Sequence, residues 1–180
     1  MRKLTIDELN RVSIEKFNQL GKLPVICILD NIRSQHNIGS IFRTSDAFRI
    51  SEIYLCGITA TPPNREINKS ALGATESVKW QYFNNTRTAV EQLRKAGYKI
   101  VAVEQASESI ILEDFVPGAS ENIALVFGNE VNGVSDDVMN MVDACIEIPQ
   151  FGTKHSFNVS VTAAIVLYQF YISLKKYLVK

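Results

Sequence analysis

No hydrophobic run in these 180 residues approaches the ~20 that a bilayer-spanning helix needs, which excludes a helical membrane protein. Cysteine is scarce as well. Cys27, Cys56 and Cys145 stand far apart, each inside an apolar run and without the paired spacing of a zinc site, so they read as buried thiols. An excess of one charge is also missing: 19 basic and 19 acidic residues cancel, and any polyanion would have to be held by a local patch. Neither G-x-G-x-x-G nor G-x-x-x-x-G-K-S/T occurs, which disfavours a dinucleotide fold or a P-loop nucleotide hydrolase. The start, Met1-Arg2-Lys3-Leu4-Thr5-Ile6-Asp7-Glu8, carries acids where a secretory leader would be apolar, so a cytoplasmic location is expected.

What is present has a regular rhythm. Short hydrophobic stretches at 25–29, 52–56, 78–83, 99–104, Ile123–Phe127 and 145–148 alternate with segments at 37–48, 86–96, 136–142 and 158–175 whose apolar positions recur at helical spacing. Strands alternating with helices predict an α/β fold with a parallel sheet flanked by helices. Gly97 stands where a helix C-cap belongs. Residues 5–20, with Leu9, Val12, Phe17 and Leu20 among charges, predict an added helix before the Gly21-Lys22-Leu23-Pro24 break. The division expected is an N-terminal helical extension, 1–23, and one domain, 24–180, long enough for a sizeable core. The polar stretch 59–70, containing Pro62-Pro63-Asn64-Arg65, is expected to be a mobile substrate loop.

Three loops that follow hydrophobic strands hold the chemistry. The first is Asp30-Asn31-Ile32-Arg33-Ser34-Gln35-His36-Asn37-Ile38-Gly39-Ser40-Ile41-Phe42-Arg43, in which Asn37 is expected to cap a helix that carries Arg43. An ordinary cap with a surface Arg43 and Asp46 pair explains the same residues without a ligand. The second is Gly128-Asn129-Glu130-Val131-Asn132-Gly133. Its Asn-Gly pair signals a turn, and Glu130 lies just past a strand end, where parallel α/β proteins place ligands. The third, Ile148-Pro149-Gln150-Phe151-Gly152-Thr153-Lys154-His155-Ser156-Phe157-Asn158, runs into the last helix, with Ser156 or Asn158 as its cap. Near the first loop, Arg33, Arg43, Arg49, Arg65, Lys69 and Lys79 supply basic charge that reads either as a footprint for a polyanion or as a solvated surface; Arg33, Arg43, Arg65 and Lys69 are the candidate contacts.

Taken together and in this order, the loops resemble motifs one, two and three of the SpoU branch of the SPOUT methyltransferases, over roughly residues 24–171. The resemblance implies a mostly parallel sheet with a C-terminal deep trefoil knot, and a homodimer whose active site is shared between subunits. It also implies S-adenosyl-L-methionine as cofactor and methylation of an RNA ribose 2'-hydroxyl, in tRNA or rRNA. Asn37, Arg43, Glu130, Ser156 and Asn158 match the family's catalytic positions. Gly128, Asn129, Glu130, Ile148, Gln150, Ser156 and Phe157 match its cofactor-binding ones, with Phe157 where the family usually has Leu. Arg43 is often read there as a base, but a guanidinium is not easily deprotonated and suits an RNA phosphate and developing negative charge better. Two other readings are a non-catalytic RNA-binding relative and a SPOUT enzyme that methylates a base.

Overall fold

The computed structural model describes residues 1–5, 7–9, 11–118 and 121–178. Seven strands, β1 (Leu23–Asp30), β2 (Ile50–Cys56), β3 (Lys79–Phe83), β4 (Lys99–Val103), β5 (Ile110–Ile111), β6 (Ile123–Phe127) and β7 (Ala144–Glu147), form one sheet in the order β3-β2-β1-β6-β4-β7-β5. Every pairing between them is parallel. All carboxyl ends therefore lie along one edge, where Leu29, Phe127, Val103 and Ile146 stand side by side in register.

Both faces of the central strands are covered, which is why they read as unbroken apolar runs. In β1, Val25, Cys27 and Leu29 point into one core and Ile26 and Ile28 into the other. The first core is closed by α2 (Gln35–Ala47), α3 (Arg65–Ala71), α4 (Ala74–Ser77) and α7 (Val159–Leu174). The second is closed by α5 (Thr86–Lys95) and α6 (Asp136–Met139). The parallel α/β architecture expected from the alternating pattern is the one observed. Gly97 follows the α5 cap residue with φ +80°, a left-handed conformation that glycine adopts without a steric penalty.

Three local expectations are corrected. The segment 5–20 is not one helix: a single 3-10 turn, Asp7–Leu9, precedes a six-residue helix, α1 (Ile14–Gln19), capped by the Ser13 side chain. Ile6 and Asn10, which that expectation included, lie outside the described residues. Nor is 59–70 wholly a loop. Its second half begins α3, where Asn64 accepts from the Glu66 and Ile67 amides and Ile67 and Ala71 are buried against α2. The packing is close because residue 39 has no side chain: a Cβ there would stand 2.2 Å from the Ile67 carbonyl oxygen and 2.2 Å from Ser70 Oγ. Finally, Asn37 is not the cap of α2. Ser34 is, accepting from the Asn37 amide at 3.3 Å, and Asn37 sits a turn inside the helix.

Candidate active site

The second loop is shaped by glycines and one asparagine. Asn129 and Gly133 exchange backbone hydrogen bonds of 2.9 Å, while Asn129 Oδ1 accepts from the Val131 and Asn132 amides. A side chain at Gly128 would lie 2.2 Å from the Gly133 carbonyl carbon, so the turn folds back on itself only with glycine there. Asn129 Nδ2 donates to the Asn31 carbonyl oxygen at 2.6 Å and fastens the turn to the loop after β1. This places Glu130 against the start of α2.

Glu130 is the hub. Its Oε2 accepts from the Arg33 amide at 2.9 Å, and its Oε1 accepts from the Ser34 amide and from Asn37 Nδ2, both at 3.0 Å. Desolvation by itself would raise the pKa of this carboxyl, but the backbone donors and the Asn37 amide outweigh it, so the group titrates below the ordinary 4.5. Asn37, buried, turns its Oδ1 the other way and accepts from Asn158 Nδ2 at 3.1 Å and Ser160 Oγ at 3.5 Å. Asn158 caps α7 through its Oδ1, which accepts from the Ser160 amide at 2.9 Å and from Ser160 Oγ at 2.7 Å. One line of hydrogen bonds thus joins residues from all three sequence motifs.

Beside this line lies a cleft of about 520 Å³, at the carboxyl ends of β4, β6 and β7. Gly128, Asn129, Glu130, Ile148, Gln150, Ser156 and Phe157, the residues expected to hold a cofactor, all line it, as does Asn158. Gln105 Nε2 donates to the His155 carbonyl oxygen at 2.7 Å and ties the third loop to the end of β4. Two lining carboxylates, Glu104 and Glu147, escaped the sequence reading. The roles of Ser160 and the buried Asp30, which stand within the motif segments, were missed as well, because their partners Asn37 and Ser135 are distant in the chain.

Arg43 is elsewhere. Six residues beyond Asn37 on α2, it projects about 120° around the helix from it, and it lines a second groove of about 620 Å³ with Arg11, Arg49 and residues of α4. Asp46 is bonded to Ser77 Oγ at 2.6 Å. Of the other expected RNA contacts, Arg33 is exposed beside Glu130 and Arg65 begins α3, while Lys69 is paired with Glu66 at 2.7 Å.

Residues 24–168 match the family described as SpoU rRNA Methylase. A 23S rRNA (guanosine-2'-O-)-methyltransferase, RlmB, of Neisseria meningitidis serogroup B is 31% identical over 88% of this chain and 62% of its own. The chain therefore spans less than two thirds of that relative. A tRNA (guanosine(18)-2'-O)-methyltransferase of Aquifex aeolicus is 33% identical over 81% of this chain and 67% of its own. Among solved structures, the A. aeolicus TrmH/SpoU tRNA modifying enzyme superposes with a TM-score of 0.80 at 25% identity, covering 91% of this chain and 83% of that one. An AdoMet-bound rRNA methyltransferase from Sinorhizobium meliloti gives 0.76 at 28% identity, over 85% and 57% of the two chains. With a family match over most of its length and the three motifs joined at one cleft, the chain belongs to the SpoU rRNA methylase family.

Proposed function

We propose that this protein transfers a methyl group from S-adenosyl-L-methionine to a ribose 2'-hydroxyl of tRNA or rRNA. The observation that carries the reading is the Glu130, Asn37 and Asn158 line lying beside the strand-end cleft. The residues of the cleft suit this cofactor. Among the described residues its lining includes the carboxylates Glu104, Glu130 and Glu147 and no lysine or arginine, which favours a net cation over a phosphate-bearing nucleotide. Ile148, Phe157 and Val131 give apolar surface for an adenine ring, and the volume falls in the usual range for small-molecule sites. When bound, the cofactor supplies an electrophilic methyl on a sulfonium.

The protein's own part is then positioning. Gly128, Asn129, Ile148, Gln150 and Phe157 would hold the cofactor, and Ser156, exposed at the rim, would meet the ribose. Glu130 stays anionic at neutral pH and fixes the Asn37 amide, so that neither is free to turn. Arg43 would bind an RNA phosphate and stabilise charge growing on the 2'-oxygen, while the hydroxyl proton would leave to that phosphate, to water or to an adjacent polar group. Since Arg43 lies on a different groove from the cleft of its own chain, we assign it to the cleft of a second copy in a homodimer. Supporting this, α7 exposes Val161, Ile165, Tyr168 and Ile172 along one side, and α2 packs against α7 with Phe48 stacked on Tyr171 at 5.4 Å. The knotted C-terminal path and the cytoplasmic setting belong to the same reading.

The test is transfer of labelled methyl to separately purified unmodified tRNA and rRNA, followed by nucleoside mass spectrometry, with Arg43→Lys and Arg43→Ala alongside. The expected result is a 2'-O-methylnucleoside in one pool. Both variants should lose most turnover, Lys included because it lacks the planar fork, and retain cofactor affinity. A methylated base instead of ribose would overturn the reaction, and full turnover by Arg43→Lys would overturn the role of the guanidinium.

A further inference from the structure

Asp30 ends β1 with its side chain 1% exposed, and both carboxylate oxygens are fully engaged. Oδ1 accepts from Asn31 Nδ2 at 2.8 Å and from Thr86 Oγ1; Oδ2 accepts from the Ser135 amide at 2.9 Å and Ser135 Oγ at 2.8 Å. The donors come from three separate parts of the chain: the loop after β1, the first residue of α5, and the far end of the second motif loop. The near end of that loop is fastened to the same place, because Asn31, at φ +56°, turns its carbonyl toward Asn129 Nδ2. Residues 128–135, which present Glu130 and line the cleft, are thus held at both ends by two adjacent residues, Asp30 and Asn31.

We infer that Asp30 is a positioning residue for the cleft: through Ser135 it sets the frame of the loop that carries Glu130, so its carboxylate governs cofactor affinity without touching the cofactor. The inference rests on the proposed cofactor reading only for its ligand. Its geometry divides cleanly, since Ser135 faces the loop and Thr86 faces α5. Ser135→Ala removes one donor on the loop side, Thr86→Ala removes one on the helix side, and Asp30→Asn replaces an acceptor with an amide that cannot accept from the same set.

Two readouts decide it: calorimetric affinity for S-adenosyl-L-methionine, and hydrogen exchange of the peptide spanning 128–135 in the ligand-free protein. Ser135→Ala should raise exchange in that peptide and weaken binding by about tenfold, the size of one hydrogen bond of ~1.4 kcal/mol. Asp30→Asn should do more. Thr86→Ala should lower the melting temperature and leave both readouts as in the wild type. The inference falls if Thr86→Ala disturbs the loop as much as Ser135→Ala, or if Ser135→Ala changes neither readout. Should Asp30→Asn fail to fold, the serine and threonine variants still decide. A wild-type protein that does not bind the cofactor would refute the ligand and not the tether, which the exchange data judge alone.

Discussion

Asn37 uses both ends of one amide, donating to Glu130 and accepting from Asn158. Asn37→Asp keeps the shape but sets a second carboxylate about 3 Å from Glu130, a like-charge contact at a buried position. The variant should lose methyl transfer and about 1–3 kcal/mol of stability at pH 7, in line with a buried pair left mismatched. Melting curves should show part of that deficit recovered at pH 5, where the pair can hold a proton. Glu130 makes its own pH prediction. Its pKa is depressed in the folded protein, so the stability it contributes is fully present above the ordinary 4.5 and is lost as pH falls through the lower folded value. Urea midpoints of wild type and Glu130→Gln should differ by a constant amount from pH 8 to about pH 5 and converge in more acid solution. The thiols titrate far from neutrality: burial pushes Cys27 and Cys56 each up to about 12. Ellman's reagent should label neither until the protein is unfolded, and rapid reaction of either in native buffer would contradict the burial described. Glu130, Ser156 and Asn158 were visible in the sequence because polar side chains after apolar strands stand out, whereas Gly128, Asn129, Ile148, Gln150 and Phe157 came from the family resemblance. Invisible was that Ser34, three residues earlier, would cap the helix in place of Asn37. The choice is made by Glu130, 93 residues away, drawing the Asn37 amide inward.

Among the elements, α2 and α3 show how a missing side chain sets an arrangement. Gly39→Ala would drive a methyl into the Ile67 carbonyl and Ser70 Oγ, both 2.2 Å from the new Cβ. The helices must separate, with an expected loss of about 1–3 kcal/mol as for an overpacked core, measurable by chemical denaturation. The same pair explains why α3 went unread: Pro62-Pro63 and a polar composition look like a loop, and only Ile67 and Ala71, four residues apart, hint at a buried stripe. Strand β5, two residues long, is too short for any periodic signal. By contrast β1, β4 and β6 were legible because burial on both faces keeps the interiors of these strands apolar.

At the scale of the whole molecule, the exposed side of α7 and the separation of Arg43 from the cleft make one joint prediction. Ile165→Lys should yield monomers by light scattering and should lose methyl transfer while single chains still bind cofactor; active monomers would break the proposed sharing of sites. No helix among the described residues is long and apolar enough to cross a membrane. The meeting of segments more than ninety residues apart, such as Asn37 with Glu130 and with Asn158, was expected only through the family resemblance, since no local pattern displays it. The strand order carries that distance into the way the chain is made. β1 is central, yet one of its two neighbours, β6, is synthesised roughly a hundred residues later, and until then β1 has a bare apolar edge. During translation the first half of the chain can pair β1 with β2 and β2 with β3 but cannot complete the sheet. A nascent chain stalled before residue 123 should therefore be a substrate for chaperones and proteases, and release from that state should coincide with the emergence of β6.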